Sequence, residues 1–145
     1  MINVEVSTII NRPLADVFAF ASNFENNPKW ETNFQDVKRT SSAPIGVGTT
    51  YQCVLKVPGQ RVDSRFVVTE FEPNRKIAFE GDKPANAKPK GSMLFESVEG
   101  GTHVTSLPRP EMTGVFKLLE PLMARYIRQN NAEHLANLKR VLESQ

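Results

Sequence analysis

The fold is decided by residues 114–143, which read GVFKLLEPLMARYIRQNNAEHLANLKRVLE. Apolar side chains recur there at intervals of three and four residues, which is the spacing along one face of an α-helix. They are Val115, Leu118, Leu119, Leu122, Met123, Tyr126, Ile127, Leu135, Leu138, Val141 and Leu142. The opposite face carries Arg125, Arg128, Gln129, Lys139 and Arg140. The pattern predicts one long amphipathic helix, and Pro121 either kinks it or marks its start after a short preceding turn.

The N-terminal part of the chain predicts a strand followed by two short helices. Residues 2–10 alternate between apolar and polar side chains, as in a half-buried strand. Its apolar face consists of Ile2, Val4, Val6 and Ile10. Pro13 suits the first turn of a helix, since its missing N–H needs no partner there. A second short turn is expected to end at Asn27-Pro28.

The middle of the chain changes to six extended runs separated by turn residues. These runs cover residues 34–41, 48–57, 60–72, 75–81, 89–98 and 102–109. Pro58-Gly59, Pro73-Asn74 and Gly100-Gly101 are tight connections, so neighbouring strands are predicted to be antiparallel.

Two irregular features interrupt these runs. Phe66 and Val68 share one face of their strand, whereas Phe71 is out of phase with them, which predicts a β-bulge near Glu70. Residues 81–91 are rich in Lys, Asn and Pro, and we expect them to form an exposed loop.

One long helix and a large antiparallel sheet each have an apolar face to bury, and burying both leaves few arrangements. We therefore predict a single α+β domain over residues 1–145 with a helix-grip fold. In this fold a curved sheet of seven antiparallel strands wraps around the C-terminal helix, and two short helices lie between strands 1 and 2. The leucines expected to point inward are Leu119, Leu122, Leu135, Leu138 and Leu142.

The composition excludes several classes of protein. With 145 residues and 39% hydrophobic content, the chain can bury one core but hardly two. Its net charge of +2 is too small to indicate a nucleic-acid partner. Cys53 is the only cysteine, so no internal disulfide can form and a cytoplasmic location is expected. We expect no signal peptide and no integral membrane segment, because no long apolar stretch is present.

Several segments, taken together and in order, resemble one known family. They are Ile10-Asn11-Arg12-Pro13, Val17-Phe18, Asn27-Pro28-Lys29-Trp30, Gly46-Val47-Gly48-Thr49, Val68–Pro73, Gly100–Thr105 and Leu135–Glu143. The chain resembles the polyketide cyclase/dehydrase branch of the START/SRPBCC superfamily, which also contains the birch-pollen allergen. The resemblance implies the helix-grip fold. It implies no single reaction, because members bind lipids, hormones or pigments, cyclise or dehydrate polyketides, carry quinones or assist chaperones.

The residues usually responsible for catalysis have no visible partners in the sequence. His103 and His134 lie in different elements, and neither has a Cys or carboxylate at metal-ligand spacing, so no metal site is predicted. Cys53 lies inside a strand and is expected to pack as a small apolar group. No phosphate-binding loop is present, and we predict no cofactor.

The remaining candidate site is an apolar cavity beneath the N-terminal half of the helix. The side chains expected to converge there are Trp30, Phe34, Tyr51, Phe79, Phe95, Phe116, Met123, Tyr126, Ile127 and Asn130. Trp30, Tyr126 and Asn130 carry polar atoms that a ligand could satisfy.

The cavity favours a function in binding a small hydrophobic molecule such as a lipid, an isoprenoid or a polyketide-like compound. A cyclase or dehydratase is the enzymatic alternative, and it would require a general acid or base inside the cavity. A chaperone cofactor or protein-interaction module is the third, and it would require an exposed apolar patch. Whether the chain forms a homodimer stays open.

Overall fold

A computed structural model describes residues 2–57 and 59–145. In chain order the elements are β1 (Val6–Ile10), α1 (Leu14–Ala21), a 3₁₀ helix (Phe24–Lys29), β2 (Phe34–Arg39), β3 (Thr50–Val57), β4 (Gln60–Glu72), β5 (Lys76–Gly81), β6 (Ala87–Lys88), β7 (Lys90–Val98), β8 (Gly101–Pro108), β9 (Glu111–Met112), α2 (Val115–Leu118) and α3 (Glu120–Glu143). No helix in the described ranges is both long and apolar enough to cross a membrane.

The main sheet has seven strands in the order β1-β8-β7-β5-β4-β3-β2, and each neighbouring pair is antiparallel. The prediction of an α+β helix-grip fold with two short helices between the first two strands is confirmed. The predicted bulge is confirmed as well, since the pairing of β4 with β5 shifts register between Val68 and Glu70. In the β3–β4 connection Gly59 has a φ of +84°, a conformation that favours glycine, whereas Pro58 lies outside the described residues.

The first strand is shorter than the alternating pattern predicts. Pairing with β8 begins at Val6, although Ile2 and Val4 before it are only 2% and 1% exposed. The reason lies in the partner strand, because the register would place Val4 opposite Pro108, and proline has no N–H to donate to the Val4 carbonyl. The Arg109 guanidinium donates to the carbonyl of Val4 instead, so the burial pattern extends beyond the strand itself.

The last part of α3 packs directly on the sheet. Leu135, Leu138 and Leu142 are 2%, 0% and 1% exposed, and they join the same core as Ile10 and Val104. Burying each such leucine contributes about 1.5–3 kcal/mol. Three leucines at this spacing therefore form a strong attachment, which we call the leucine seam.

Hydrogen bonds tie α3 to both edges of the sheet. On the β1 side, Lys139 Nζ donates to the carbonyl of Ile9 at 2.6 Å, and the N–H of Asn11 donates to Glu143 at 2.8 Å. On the β2 side, Asn137 Nδ2 donates to the carbonyl of Trp30 at 3.2 Å. The helix is therefore bonded to edge strand β1 and to the end of the 3₁₀ helix that leads into edge strand β2.

The first part of the helical region departs from the prediction. Leu119 and Leu122 were expected to point inward, but they are 42% and 69% exposed. Leu119 lies at the break between α2 and α3, where the backbone leaves helical geometry and the phase of the apolar stripe is lost. Leu122 precedes Met123 by one residue, or about 100° around the helix, and so lies on the flank. Pro121 falls in the first turn of α3, so the helix starts there after a short turn.

The loop predicted at residues 81–91 is only partly a loop. Within it, β6 pairs with β9 to form a second, two-stranded ladder, with Ala87 opposite Met112 and Lys88 opposite Glu111. The prediction of an exposed loop is therefore wrong at these two residues, and also at Gly81, which ends β5, and at Lys90 and Gly91, which begin β7. A two-residue ladder between distant segments leaves no periodicity that the sequence could reveal.

The leucine seam predicts a large difference between two leucines of the C-terminal region. Leu138→Ala should lower the free energy of unfolding by about 2–5 kcal/mol, because it leaves a cavity in packed core. Leu118→Ala is the matched control, and at 82% exposure it should cost less than about 0.5 kcal/mol. Urea unfolding of the two variants measures both values, and equal losses would show that the seam does not hold the helix.

Candidate functional site

A cavity of about 420 Å³ lies beneath α2 and the first half of α3. Its floor is aromatic and belongs to the sheet. Phe34 and Phe79 both pack against Phe66, with ring centroids 5.4 and 5.5 Å apart, and Phe79 also contacts Phe24 at 5.6 Å. The cavity therefore begins where the packed aromatic core ends.

Four prolines line another part of the cavity. Pro84, Pro89, Pro108 and Pro110 come from the segments on either side of the small β6–β9 ladder. Proline has no backbone N–H, so it covers a cavity without exposing a donor that would require a partner. The ladder that the sequence did not predict thus holds an apolar wall in place.

Seven of the ten side chains that the sequence placed at the cavity line it in the structure. They are Phe34, Phe79, Phe116, Met123, Tyr126, Ile127 and Asn130. The other three, Trp30, Tyr51 and Phe95, are not among the residues that line it.

Trp30, Tyr51 and Phe95 lie in the packed core, where they are 4%, 1% and 4% exposed. The short helices between β1 and β2 cover this part of the sheet and fill its volume. Phe95 packs against Phe18 of α1 at 5.0 Å, and Tyr51 packs against Phe24 of the 3₁₀ helix at 5.1 Å. Burial raises the pKa of the Tyr51 hydroxyl.

The polar end of the cavity is formed by Glu31, Asn33 and His134. Glu31 follows the 3₁₀ helix, and its N–H donates to the carbonyl of Asn27 at 2.7 Å. His134 comes from α3, immediately before the leucine seam, and is 4% exposed. Its Nδ1 lies 4.0 Å from Oε2 of Glu31. This carboxylate partner was not visible in the sequence, because Glu31 lies at neither helical nor hairpin spacing from His134.

A backbone contact fixes the proton position on His134. The N–H of Thr32 donates to its Nε2 at 3.3 Å, so Nε2 must be unprotonated. The ring proton of the neutral imidazole then lies on Nδ1, the nitrogen nearest Glu31. Burial lowers the pKa of His134, which keeps the ring neutral at pH 7.

Burial has the opposite effect on the acid. It raises the pKa of Glu31 from 4.5 to about 8, because the ionised form loses solvation in this apolar setting. Asn33 beside it has a buried Oδ1 that accepts no hydrogen bond from the described residues. The apolar cavity therefore has one end that offers donors and acceptors but little net charge at neutral pH.

The remaining candidate catalytic residues lie away from the cavity. Cys53 is 5% exposed in the core, and burial raises its pKa to about 12, so it stays a thiol. His103 on β8 pairs with Ile9 and Glu96 of the neighbouring strands and does not line the cavity. In the described ranges, no three His, Cys, Asp or Glu side chains are grouped to hold a metal ion.

Two other concave surfaces, of about 600 and 740 Å³, are more polar. Both include outward-facing side chains such as Gln52 and Arg65, and several exposed charged groups surround them. Since a site for an apolar molecule is lined mostly by apolar side chains, the cavity beneath α3 is the better candidate despite its smaller volume.

Comparison with known proteins agrees with this architecture. The family described as polyketide cyclase / dehydrase and lipid transport matches residues 1–143. No curated protein sequence gives a significant match.

Three solved structures illustrate the fold. A protein of Thermus thermophilus superposes with a TM-score of 0.79 at 20% identity, covering 99% of each chain. The di-domain ARO/CYC StfQ from the steffimycin biosynthetic pathway gives 0.80 at 13% identity, and this chain spans 51% of it. Ara h 8.0201 gives 0.71 at 12% identity, covering 99% of this chain and 98% of that one. At these identities the likeness shows the fold alone.

The raised pKa of Glu31 predicts how stability changes with pH. The folded protein holds this proton more tightly than the unfolded chain does. The protonated Glu31 side chain therefore makes its full contribution to the free energy of unfolding below pH 4.5, and this contribution is lost as the pH rises through about 8. The slope is at most about 1.4 kcal/mol per pH unit for one proton.

The window from pH 6.5 to 8 isolates this effect from that of His134. The pKa of His134 is lowered from 6.5, so its contribution is lost only as the pH falls below 6.5. In urea unfolding across the window, the wild type should lose stability relative to Glu31→Gln, which has no proton to release. If the difference in free energy of unfolding between the wild type and Glu31→Gln stays constant with pH, the raised pKa of Glu31 is contradicted.

Proposed function

The chain belongs to the polyketide cyclase/dehydrase and lipid transport family, and we propose that it binds a small hydrophobic ligand in the cavity beneath α3. A lipid, an isoprenoid or a polyketide-like molecule fits the chemistry of the walls. The proposal rests on one observation above all, which is an apolar cavity with a polar end in a protein whose core is otherwise packed.

The size of the cavity supports this function. Its volume of about 420 Å³ falls within the range of about 300–1,000 Å³ that is usual for small-molecule sites. Each 100 Å² of apolar ligand surface removed from water contributes about 2.5 kcal/mol, so affinity comes mainly from the walls. Met123 adapts its long, flexible side chain to ligands of irregular shape.

The polar end supplies orientation. Burial leaves Glu31 mostly protonated and His134 neutral at pH 7, so neither group attracts a strongly charged ligand. Asn33 offers an acceptor that the described residues leave unused. A molecule with a long apolar body and an uncharged oxygen at one end matches both parts of the cavity.

Each alternative has one observation in its favour. The Glu31–His134 pair is what a cyclase or dehydratase would need inside the cavity, and the following subsection develops its chemistry. The exposed side chains of Val115, Leu118 and Leu122 provide the apolar patch that a protein-interaction module would need. This patch flanks the cavity, because Phe116 and Met123 of the same segment line it, and we assign it to the ligand's path in and out.

Filling the cavity should block binding without unfolding the protein. Met123→Trp places a larger side chain in open volume, so the affinity for the neutral dye N-phenyl-1-naphthylamine should fall by at least about tenfold. The loss of stability should stay below about 1 kcal/mol, because few packed atoms are displaced.

Leu122→Trp is the matched control, since Leu122 is the preceding residue, is 69% exposed and does not line the cavity. Dye fluorescence titration should give wild-type affinity for this variant. If the wild type binds neither the dye nor a fatty acid, and Met123→Trp unfolds, the volume is part of the packed core and the proposed function is wrong.

A further inference from the structure

The polar end of the cavity places an acid and a hydrogen-bond donor on either side of a gap. Oε2 of Glu31 and Nδ1 of His134 are 4.0 Å apart, which is too far for a hydrogen bond between them. Both side chains line the cavity, so a ligand that fills it reaches both. A ligand group with two neighbouring polar or reactive atoms fits this gap, because one atom can interact with Glu31 and the other with His134.

We propose that Glu31 removes and returns the α-proton of a ketone bound in the cavity, while Nδ1–H of His134 donates a hydrogen bond to the ketone oxygen. The oxygen and the α-carbon of a ketone are two bonds apart. The ketone oxygen can therefore lie near Nδ1 of His134 while the α-carbon lies near Oε2 of Glu31. This inference rests on the proposed function, because the ketone must first occupy the apolar cavity.

The proton transfer balances without any further reagent. The Glu31 carboxylate takes the α-proton, and the electrons of the C–H bond form the C=C bond of an enolate. The negative charge moves to the oxygen, where the hydrogen bond from His134 stabilises it, and His134 keeps its proton. Glu31, now a carboxylic acid, returns a proton to carbon and restores the ketone. In D₂O the acid exchanges with solvent between the two steps, so deuterium replaces the α-hydrogen.

The surroundings suit each group to this role. Thr32 donates to Nε2 of His134, which leaves the ring proton on Nδ1, the nitrogen across the gap from Glu31. A raised pKa of about 8 for Glu31 makes it a stronger base than an ordinary carboxylate, while a useful fraction stays ionised near neutral pH. The unused Oδ1 of Asn33 can accept a hydrogen bond from a hydroxyl group elsewhere on the ligand.

Other charged groups at the cavity do not substitute for Glu31. The titratable side chains that line it are Glu31, Lys56, Lys90, Tyr126 and His134. Lys90 is paired with Glu111 at 3.3 Å and Glu80 at 3.4 Å, both of which raise its pKa and keep it a cation. Glu31 is thus the only carboxylate on the wall of this cavity, as far as the described residues show.

The test measures deuterium exchange and binding on the same probe. The apolar ketone 1-tetralone is incubated in D₂O with the wild type, and loss of its α-proton signal is followed by NMR. Its affinity is measured separately by displacement of the neutral dye. The wild type should exchange the proton faster than buffer, and Glu31→Gln should lower the protein-catalysed rate by at least about 100-fold. The affinity of Glu31→Gln should change by less than about threefold.

Glu96→Gln is the matched control, since it makes the same change on the exposed face of β7 and should leave the rate unchanged. The pH profile of the wild type provides a readout that needs no variant. Its rate should rise as Glu31 ionises and level off above pH 8, and a structural role of Glu31 would not produce this shape.

The outcomes separate the two proposals. If the wild type binds 1-tetralone but exchanges its proton no faster than buffer, or if Glu31→Gln keeps the wild-type rate, the inference is wrong and the binding function stands. If neither the ketone nor the dye binds, the proposed function fails and the inference fails with it.

Discussion

Packing of the leucine seam against the sheet sets the geometry of both the fold and the cavity. Leu135, Leu138 and Leu142 fix the position and rotation of the helix, and polar contacts beside them reach β1 at Ile9 and the end of the 3₁₀ helix at Trp30. His134 directly precedes the first seam leucine, so its approach to Glu31 follows from the packing. Met123 and Ile127 lie two to three turns earlier on the same helix, and the seam therefore also decides which side chains extend over the cavity.

Much of the fold could be predicted because its signals are local. Alternating side chains identified the strands, turn residues identified the hairpins, and the phase change between Val68 and Phe71 identified the bulge. The errors lie where distant segments decide the outcome. The β6–β9 ladder joins two short segments with no pattern of their own. Leu122 fits the apolar spacing, but Met123 occupies the side of the helix that faces the cavity, and Leu122 lies exposed on the flank.

The candidate site, like the fold, could be predicted only in part. The apolar residues on α2 and α3 could be assigned to the cavity, because their helical spacing gives them a common face. Trp30, Tyr51 and Phe95 could not be separated from them, because the sequence does not reveal which part of the sheet the short helices cover. The Glu31–His134 pair was missed because Glu31 lies in a turn without periodicity. The nearby contact between Thr32 and His134 joins residues that are 102 positions apart.

The uneven burial of the C-terminal region also separates two kinds of motion. None of residues 115–130 is buried, whereas the seam residues after them are almost fully buried. Lifting the first segment away from the sheet exposes little new apolar surface, so it costs far less free energy than unfolding the domain. Lifting the second segment breaks the core and requires global unfolding. A ligand can therefore be exchanged by local opening of one end of a helix while the other end keeps the sheet intact.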